Sequence, residues 1–366
     1  MSRVHLKRLE RRKIGGFGDE MKLSVPLPKT PKGMIHQRCP SESCRPRLFE
    51  LGNGAPDRCI AHGNQHLVRR QIGTPGITCP YCGGDAPDDE YICEEDVRYA
   101  RELIGWEAGR DMQDFMAEEA RRFNQEGDFG LFKVRMEVKG NNRRRPVAWR
   151  EDLLRDLTCD ICGRRYGVFA IGLFCPDCGA RNVHVHFARE IELVERQLAL
   201  AQEKRQTDEE LAYRLLANAH EDVLTAFETH LKTIYRFLCP RRLATDVAAE
   251  KCRNLRNRFQ NEKKAENRFK DLSIDLFAAL SEDERGKLSA NIRKRHIVGH
   301  NLGIEDDEDV ETRNAGTVVS LLVEDVRGFV AICKKVIISL EEQLPELLPP
   351  SNQEPEPPQE GESIGR

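Results

Sequence analysis

The chain has 366 residues, enough for two or three domains, and its 58 basic and 61 acidic side chains leave a net charge of -3. The net charge of the whole chain therefore does not indicate binding to nucleic acid. Basic clusters at residues 3–13, 69–70 and 143–145 are typical of solvated loops and are also candidate phosphate-binding patches. Charged residues make up 33% of the chain, which favours wide solvated helix faces or small metal-stabilised modules.

The first residues, MSRVHLKRLERRK, are basic but precede no apolar stretch, so we expect no secretory signal peptide. No apolar run approaches the roughly 20 residues that span a bilayer. We therefore expect a soluble, cytoplasmic protein without a membrane partner. The chain holds 13 cysteines, and six of them stand in CxxC pairs. In a cytoplasmic protein this pattern indicates metal binding rather than disulfide bonds.

The N-terminal half divides into three predicted segments. Residues 1–36 are expected to be loose, because VPLPKTPKG brings three prolines without periodicity. Residues 37–93 are rich in cysteine, glycine and proline, so a fold there needs a staple such as a metal ion. Residues 94–150 combine a helix over 94–123, a strand over 132–138 and the basic loop NNRRRP. The predicted apolar stripe of that helix comprises Val97, Ala100, Ile104, Ala108, Met112 and Phe115.

A second cysteine-rich unit covers residues 151–187. Its sequence CDICGRRYGVFAIGLFCPDCG contains two CxxC knuckles that flank a predicted strand, YGVFAIGLF, and a glycine relieves the turn after each knuckle. Two such knuckles supply four thiolate ligands in the tetrahedral arrangement that suits Zn²⁺. The unit resembles a zinc ribbon, and four thiolates leave no open position, so we expect a structural zinc ion. Its predicted ligands are Cys159, Cys162, Cys175 and Cys178.

The first cysteine-rich unit predicts a second zinc site, built on the knuckle Cys79 and Cys82. We prefer Cys39 and Cys44 as the partner pair, because RCPSESC also has turn residues between its sulfurs. This arrangement looks like a split zinc ribbon with a long insertion. The alternatives that stay open are Cys59 with His62 as the partner pair, and Cys93 as a replacement ligand.

Residues 188–345 are predicted to form an all-α, up-and-down helical bundle, and the Pro/Glu-rich tail 346–366 to be disordered. The first helix carries the stripe Ile191, Val194, Leu198 and Ala201. A capping box of Thr207 and Glu210 opens a second helix that Pro240 ends near residue 237. Helices over 243–259 and 262–280 follow, then one opened by a second capping box, Ser281 with Glu284, and a last one over 318–344. The predicted class is therefore α+β.

Several cysteines and histidines outside the predicted ligand sets have simpler interpretations. Cys239, Cys252 and Cys333 stand singly in helical sequence and are predicted to be small buried apolar side chains. His184 and His186 are predicted to share one face of a short strand, VHVHF. A metal role for them is disfavoured because no third ligand has suitable spacing.

The sequence RKRHIVGHNLG, residues 293–303, concentrates basic and polar residues at the predicted end of a helix. His296 and His300 stand four apart, as in a helical metal-ligand pair, but only the acidic run 305–309 offers a third ligand. A solvated basic helix end, favourable against the helix dipole, is the simplest alternative. The third alternative is a catalytic site.

The Arg-x4-His spacing of Arg295 and His300, at a helix end inside an α-helical domain, resembles the HEPN superfamily. RHIVGHNLG matches the RHxxxHNxG form of that motif, and the resemblance covers about residues 208–344. It implies a metal-independent endoribonuclease in which His300 transfers the proton of the RNA 2′-OH and Arg295 stabilises the phosphate. Asn301 would position either group, and His296 would be a second proton carrier or a packing residue. Arg293 fits the related Arg-x6-His spacing.

The resemblance also implies a homodimer with a composite cleft, RNA as substrate and a role in stress response or phage defence, with an antitoxin as a candidate protein partner. The acidic run 305–309 would repel RNA if it faced that cleft. The alternative is a non-catalytic adaptor that dimerises through the bundle and binds nucleic acid or protein through its ribbons. Phosphate contacts would then come from Arg164, Arg165 and residues 143–145. A zinc hydrolase is disfavoured, because both zinc sites are predicted to be closed.

Overall fold

The structure is a computed structural model that describes residues 6–17, 20–52, 69–70, 75–126, 135–140, 143–253, 255, 258–300 and 321–343, with only the backbone described at 296–300. Within these residues, small antiparallel sheets occupy the N-terminal half and helices dominate the C-terminal half. The α+β class predicted from sequence is confirmed. None of the described helices is long and apolar enough to cross a lipid bilayer.

Residues 7–23 contain a helix and a two-stranded hairpin, so the prediction that residues 1–36 are loose is wrong for this part of the segment. Helix α1 (Lys7–Glu10) leads into a hairpin of β1 (Lys13–Gly15) and β2 (Lys22–Leu23). Arginines of this segment form ion pairs with α2 (Glu94–Glu126), the long helix that the sequence predicts. These ion pairs attach the N-terminal segment to α2, since the segment has few apolar side chains of its own.

Helix α2 buries a different face from the one predicted. Met112, on the predicted stripe, is 45% exposed, whereas Leu103, Glu107 and Asp111 are buried. The two carboxylates are buried because arginines pair with them. A count of apolar spacing alone cannot detect such a face. Downstream, residues 135–140 form no strand, which contradicts the predicted strand over 132–138 where the chain is described.

A four-stranded antiparallel sheet joins the two cysteine-rich segments. Its strand order is β3-β4-β8-β7, and β4 pairs with β8 so that Phe49 lies opposite Val168. The sequence treats residues 37–93 and 151–187 as separate units, but each contributes a hairpin to this sheet. Its strands are β3 (Ile35–Arg38), β4 (Leu48–Leu51), β7 (Arg155–Thr158) and β8 (Arg165–Val168). Between β4 and β7 in the sequence, β5 (Ile77–Thr78) and β6 (Asp85–Ala86) form a separate short hairpin.

The C-terminal half contains six α-helices within the described residues. Helices α3, α4 and α8 pack against one another around one large apolar core, which α7 also joins. The predicted stripe of α3 is confirmed, because Val194, Leu198 and Ala201 are buried. The six are α3 (Val183–Lys204), α4 (Glu209–Arg242), α5 (Thr245–Arg253), α6 (Glu262–Lys270), α7 (Glu282–His300) and α8 (Val323–Glu342).

Several helix boundaries differ from the predicted ones. Asp208, rather than Thr207, caps α4 by accepting a hydrogen bond from the backbone N–H of Leu211. Pro240 lies inside the last turn of α4 and does not end the helix near residue 237, although it removes one backbone N–H from the hydrogen-bond ladder. The helices predicted over 243–259 and 262–280 are shorter, and VHVHF begins α3 instead of forming a strand. The Ser281–Glu284 capping box is confirmed by both of its hydrogen bonds.

Candidate metal centres

The first group of four cysteines comes from two connections between neighbouring strands. Cys39 and Cys44 lie between β3 and β4, and Cys79 and Cys82 lie between β5 and β6. The four Sγ atoms lie within 4.8 Å of one another, with 3.7 Å from Cys39 to Cys82 and 3.7 Å from Cys44 to Cys79. The structure therefore brings together the set of ligands that the sequence favours.

The second group has the same construction. Cys159 and Cys162 lie between β7 and β8, and Cys175 and Cys178 lie in the turn that precedes α3. The Sγ atoms of Cys159 and Cys178 are 3.9 Å apart, and those of Cys162 and Cys175 are 3.6 Å apart. All four side chains are buried, so this group is closed to solvent on every side.

Local backbone geometry explains why each CxxC knuckle can present two sulfurs together. In the second group, the N–H of Gly163 donates to the Cys159 carbonyl and the N–H of Gly179 donates to the Cys175 carbonyl, each at 2.9 Å. Both glycines have φ near +70°, a conformation that side chains with a Cβ rarely adopt. Gly83 has the same place and conformation after Cys82.

The donor set fits a thiophilic metal ion. A zinc–sulfur distance of about 2.3 Å places tetrahedral sulfurs about 3.8 Å apart, close to the distances in both groups. A disulfide would require about 2.05 Å, and all of these cysteines are free. Hydrogen bonds from Cys44 and Cys79 lower the pKa of Cys82 to about 2, and those from the other three cysteines of its group lower the pKa of Cys159. Hydrogen bonds to Cys39 and to Cys159 raise the pKa of Cys79 and of Cys178, so the thiols of each group divide between the two forms and the fit to a metal ion rests on the sulfur spacing.

The alternative ligands do not join the first group where they are described. Cys93 is buried, and burial raises the pKa of its thiol to about 12, but its sulfur lies outside the group. Cys59 and His62 lie outside the described residues. His184 and His186 belong to no cluster of metal-ligand atoms among the described side chains.

Backbone contacts connect the two groups of cysteines into one body. The N–H of Thr78 donates to the Pro176 carbonyl at 2.9 Å, and the N–H of Leu173 donates to the Pro80 carbonyl at 2.7 Å. Arg70 donates from Nη2 to the carbonyls of residues 176 and 177. The Arg69–Arg70 cluster is therefore a structural clamp between the two knuckles.

The arginines predicted to contact phosphate in the ribbon are already engaged. Nε of Arg164 donates to Asp177 at 3.0 Å, and Nε of Arg165 donates to Asp156 at 2.9 Å. Both guanidinium groups are thus neutralised within the protein. The three arginines at 143–145 remain exposed.

The α4–α7 contact holds the part of the Arg-x4-His motif that the structure describes. Arg295, one turn from the end of α7, has Nη2 2.9 Å from Oε1 of Glu221 on α4. One turn earlier on α7, Asn291 hydrogen-bonds Nε2 of buried His220 at 3.0 Å. The side chains of His296 and His300, together with Asn301 and the acidic run 305–309, lie outside the described residues.

Comparisons with known proteins find no relative. No family model, curated protein or solved structure matches this chain. The functional argument therefore comes from the chemistry of the two cysteine groups and of the surfaces around them.

Sequence analysis misses Asn182 and gives His184 no contact with the second group, although both side chains lie near it. Asn182 donates to Tyr166, and its Oδ1 lies 3.6 Å from Sγ of Cys159. His184 bridges Asp160, beside that cysteine, to Glu341 on α8. Neither lies at a ligand spacing, so only the folded chain identifies them as outer contacts of the centre.

Proposed function

We propose that this protein binds two structural Zn²⁺ ions, one in each group of four cysteines, and that the zinc-bound region serves as a rigid binding platform. What supports the proposal is the match between the sulfur spacings of 3.6–3.9 Å and the edge of a ZnS₄ tetrahedron. Four thiolates leave no coordination position for water or substrate. Zinc chemistry on a substrate is therefore not part of the proposal.

Hydrogen bonds from backbone N–H groups to the sulfurs favour the same assignment. The backbone N–H groups of Arg164 and Asp177 donate to the sulfurs of Cys162 and Cys175 at 3.5 and 3.4 Å. A zinc ion with four thiolates carries a net charge of -2, and such donors offset part of it. Arg70 and Arg241 donate to backbone carbonyls around the two centres and bring further positive charge.

Elemental analysis of the purified full chain tests this proposal. We expect two zinc ions per chain, one in Cys82→Ser, one in Cys175→Ser, and two in the control Cys252→Ser, whose thiol lies on α5 outside both groups. Tetrahedral sulfur sites also accept iron. Iron with visible absorption, or fewer than two zinc ions in the wild type, would contradict the assignment.

The HEPN-like endoribonuclease that the motif implies is the second candidate function. Its support is the motif itself; Glu221 on α4 fixes the Arg295 guanidinium and offsets its charge, while other N–H donors of that guanidinium are left for a phosphate. His300 would transfer the 2′-OH proton, with Asn301 and His296 in supporting roles, at an interface between two copies of the chain. The competing proposal keeps the helical region as a dimerisation scaffold without catalysis.

An RNA cleavage assay separates these two candidates. Zinc-loaded protein is incubated with mixed cellular RNA in buffer without added divalent cations, beside His300→Ala and Arg295→Ala variants of verified fold and oligomeric state. The enzyme proposal expects products ending in 2′,3′-cyclic phosphate from the wild type alone. If none of the three proteins cleaves RNA, the scaffold proposal is supported. If all three cleave RNA equally, the activity comes from a contaminant and the enzyme proposal loses its support.

A further inference from the structure

A groove of about 930 Å³ opens beside the first cysteine group. The β3–β4 hairpin, the start of α2 and the segment 149–153 line it. Its wall combines four arginines with two exposed aromatic rings, and three carboxylates complete its charged lining. The arginines are Arg38, Arg45, Arg47 and Arg150, the aromatic residues are Trp149 and Phe169, and the acidic residues are Glu95, Glu151 and Asp152.

Within the part of the chain that the structure describes, three of the arginines form no ion pair. Arg45 and Arg47 donate to backbone carbonyls at the turn of the first cysteine group, which orients the side chains without a carboxylate partner. Arg38 makes no ion pair with any described residue. Arg150 differs, because it pairs with buried Asp96.

The three carboxylates offset part of the positive charge of the groove. Asp152 already accepts a hydrogen bond from the Lys32 backbone N–H at 3.1 Å. His36 also lines the groove. Burial lowers its pKa, but hydrogen bonds to Glu50 and to the Glu151 carbonyl outweigh burial and leave the pKa raised. Glu50, whose Oε1 lies 3.1 Å from Nε2 of His36, offsets any charge on that ring.

The two aromatic side chains are unusually open to solvent. Trp149 is 72% exposed and Phe169 is 49% exposed, whereas Phe49, Tyr91 and Tyr166 are fully buried in the same region. An exposed aromatic ring beside arginines can stack on a nucleobase while the arginines contact the phosphates on either side. A base inside a duplex offers no free face, so this arrangement favours single strands.

Basic residues continue along the chain from Trp149. The exposed arginines 143–145 precede it in RRRPVAWR, and two of them line a neighbouring groove of about 790 Å³ along α2. The segment 143–150 therefore contributes arginines to both grooves. A partner with charge repeated along its length fits this surface better than an isolated anion does.

We propose that the surface formed by Arg38, Arg45, Arg47, Trp149 and Phe169, the arginine–tryptophan groove, binds single-stranded nucleic acid. The arginines contact phosphates, and Trp149 and Phe169 stack on bases. The inference deepens the proposed binding platform and rests on the zinc proposal, because the hairpin that carries the arginines also carries Cys39 and Cys44. It does not depend on ribonuclease activity.

Fluorescence anisotropy with a labelled 12-nucleotide oligouridine or oligothymidine tests the proposal on the full zinc-loaded chain. We expect saturable binding, weakened about 5- to 150-fold by Trp149→Ala through lost stacking. Arg38→Gln combined with Arg45→Gln should reduce the slope of log affinity against log salt by about one to two. The matched controls are Val147→Ala, an 85% exposed apolar side chain two residues from Trp149, and Arg196→Ala, an exposed arginine on α3; both should bind like the wild type.

Each result has a defined meaning. Comparison of the two oligonucleotides shows whether RNA or DNA is preferred. The proposal is overturned if the wild type does not bind, or if both groove variants bind as tightly as the wild type, provided that each protein still carries two zinc ions. Binding of polyglutamate that matches the oligonucleotides and ignores Trp149→Ala also overturns it and indicates an acidic protein partner. A wild type without its zinc ions would instead show that the underlying zinc proposal has failed.

Discussion

His184 links the second cysteine group to the C-terminal helices through a single side chain. Its Nε2 lies 2.8 Å from Oδ2 of Asp160, and its Nδ1 lies 2.9 Å from Oε2 of buried Glu341 on α8. Burial lowers the pKa of the imidazole, but the hydrogen bonds to the two carboxylates outweigh burial and raise the pKa to about 10. A charged histidine therefore bridges two parts of the fold at neutral pH.

This pKa predicts how stability depends on pH. A raised folded-state pKa contributes stability fully below the unfolded value of about 6.5, and the contribution disappears as pH rises through about 10. We expect His184→Gln to lower the free energy of unfolding by about 1–3 kcal/mol at pH 6, after a discount for a side chain that is 36% exposed. The loss should shrink towards pH 10. Urea titrations at the two pH values measure it, and an equal loss at both would refute the charged bridge.

At the residue scale, sequence identifies side chains whose chemistry depends on local spacing. Cys159 and Cys162 could be predicted as a pair, because two positions in a tight turn suffice to bring their sulfurs together. Asn182 and His184 could not, since their importance comes from contacts with Tyr166 and Glu341 that only the folded chain creates. Trp149 is visible in the sequence, but its exposure is not.

Helix α2 shows how charge can organise a secondary-structure element. Arg12 forms two bonds with Glu107, from Nε at 2.5 Å and from Nη2 at 2.7 Å. These hydrogen bonds lower the pKa of Glu107 in spite of its burial. Arg8 makes a similar contact with Asp111. The N-terminal segment therefore depends on paired charges, and a missing partner would leave a carboxylate buried without compensation.

Removing one of these arginines should release the segment locally. In Arg12→Ala we expect amide hydrogen exchange over residues 7–23 to accelerate at least several-fold, because docking loses a bidentate ion pair. Exchange in α4 should stay unchanged. The control is Arg11→Ala, which removes an exposed neighbouring guanidinium. Similar exchange in both variants would show that the ion pair does not hold the segment.

At the element scale, local signals predict where helices exist better than where they end. The Ser281–Glu284 capping box could be predicted because its hydrogen bonds join residues three apart. The position of Pro240 inside α4 could not, because tertiary packing continues the helix beyond a weak local stop. The pairing of β4 with β8 joins residues more than 100 positions apart, and no local pattern encodes it.

At the scale of the whole molecule, the two cysteine groups stabilise one shared sheet. Hairpin β3–β4 belongs to the first group and hairpin β7–β8 to the second, and the two hairpins pair through β4 and β8. The helical half has a separate and larger apolar core. Ile171, Leu173 and Phe174 of the second cysteine-rich segment belong to this helical core, and Arg241 donates to the Cys82 carbonyl, so the two halves also share apolar and polar contacts. Metal loss should therefore affect the two halves unequally.

Chelation of zinc should unfold the sheet region and leave the helical core protected. A small cysteine-rich region buries too little apolar surface to fold without its metal ions. The free energy of zinc binding therefore supplies its folding free energy. After chelation, we expect hydrogen exchange to become fast in β3, β4, β7 and β8 while α4 stays slow and most helical circular dichroism remains. Because the hairpins share one sheet, Cys82→Ser should accelerate exchange in β7 and β8 as well as in β3 and β4, whereas Cys252→Ser should change neither. Acceleration confined to β3 and β4 would mean that the second centre folds by itself and that the β4–β8 pairing transmits no stability between the two.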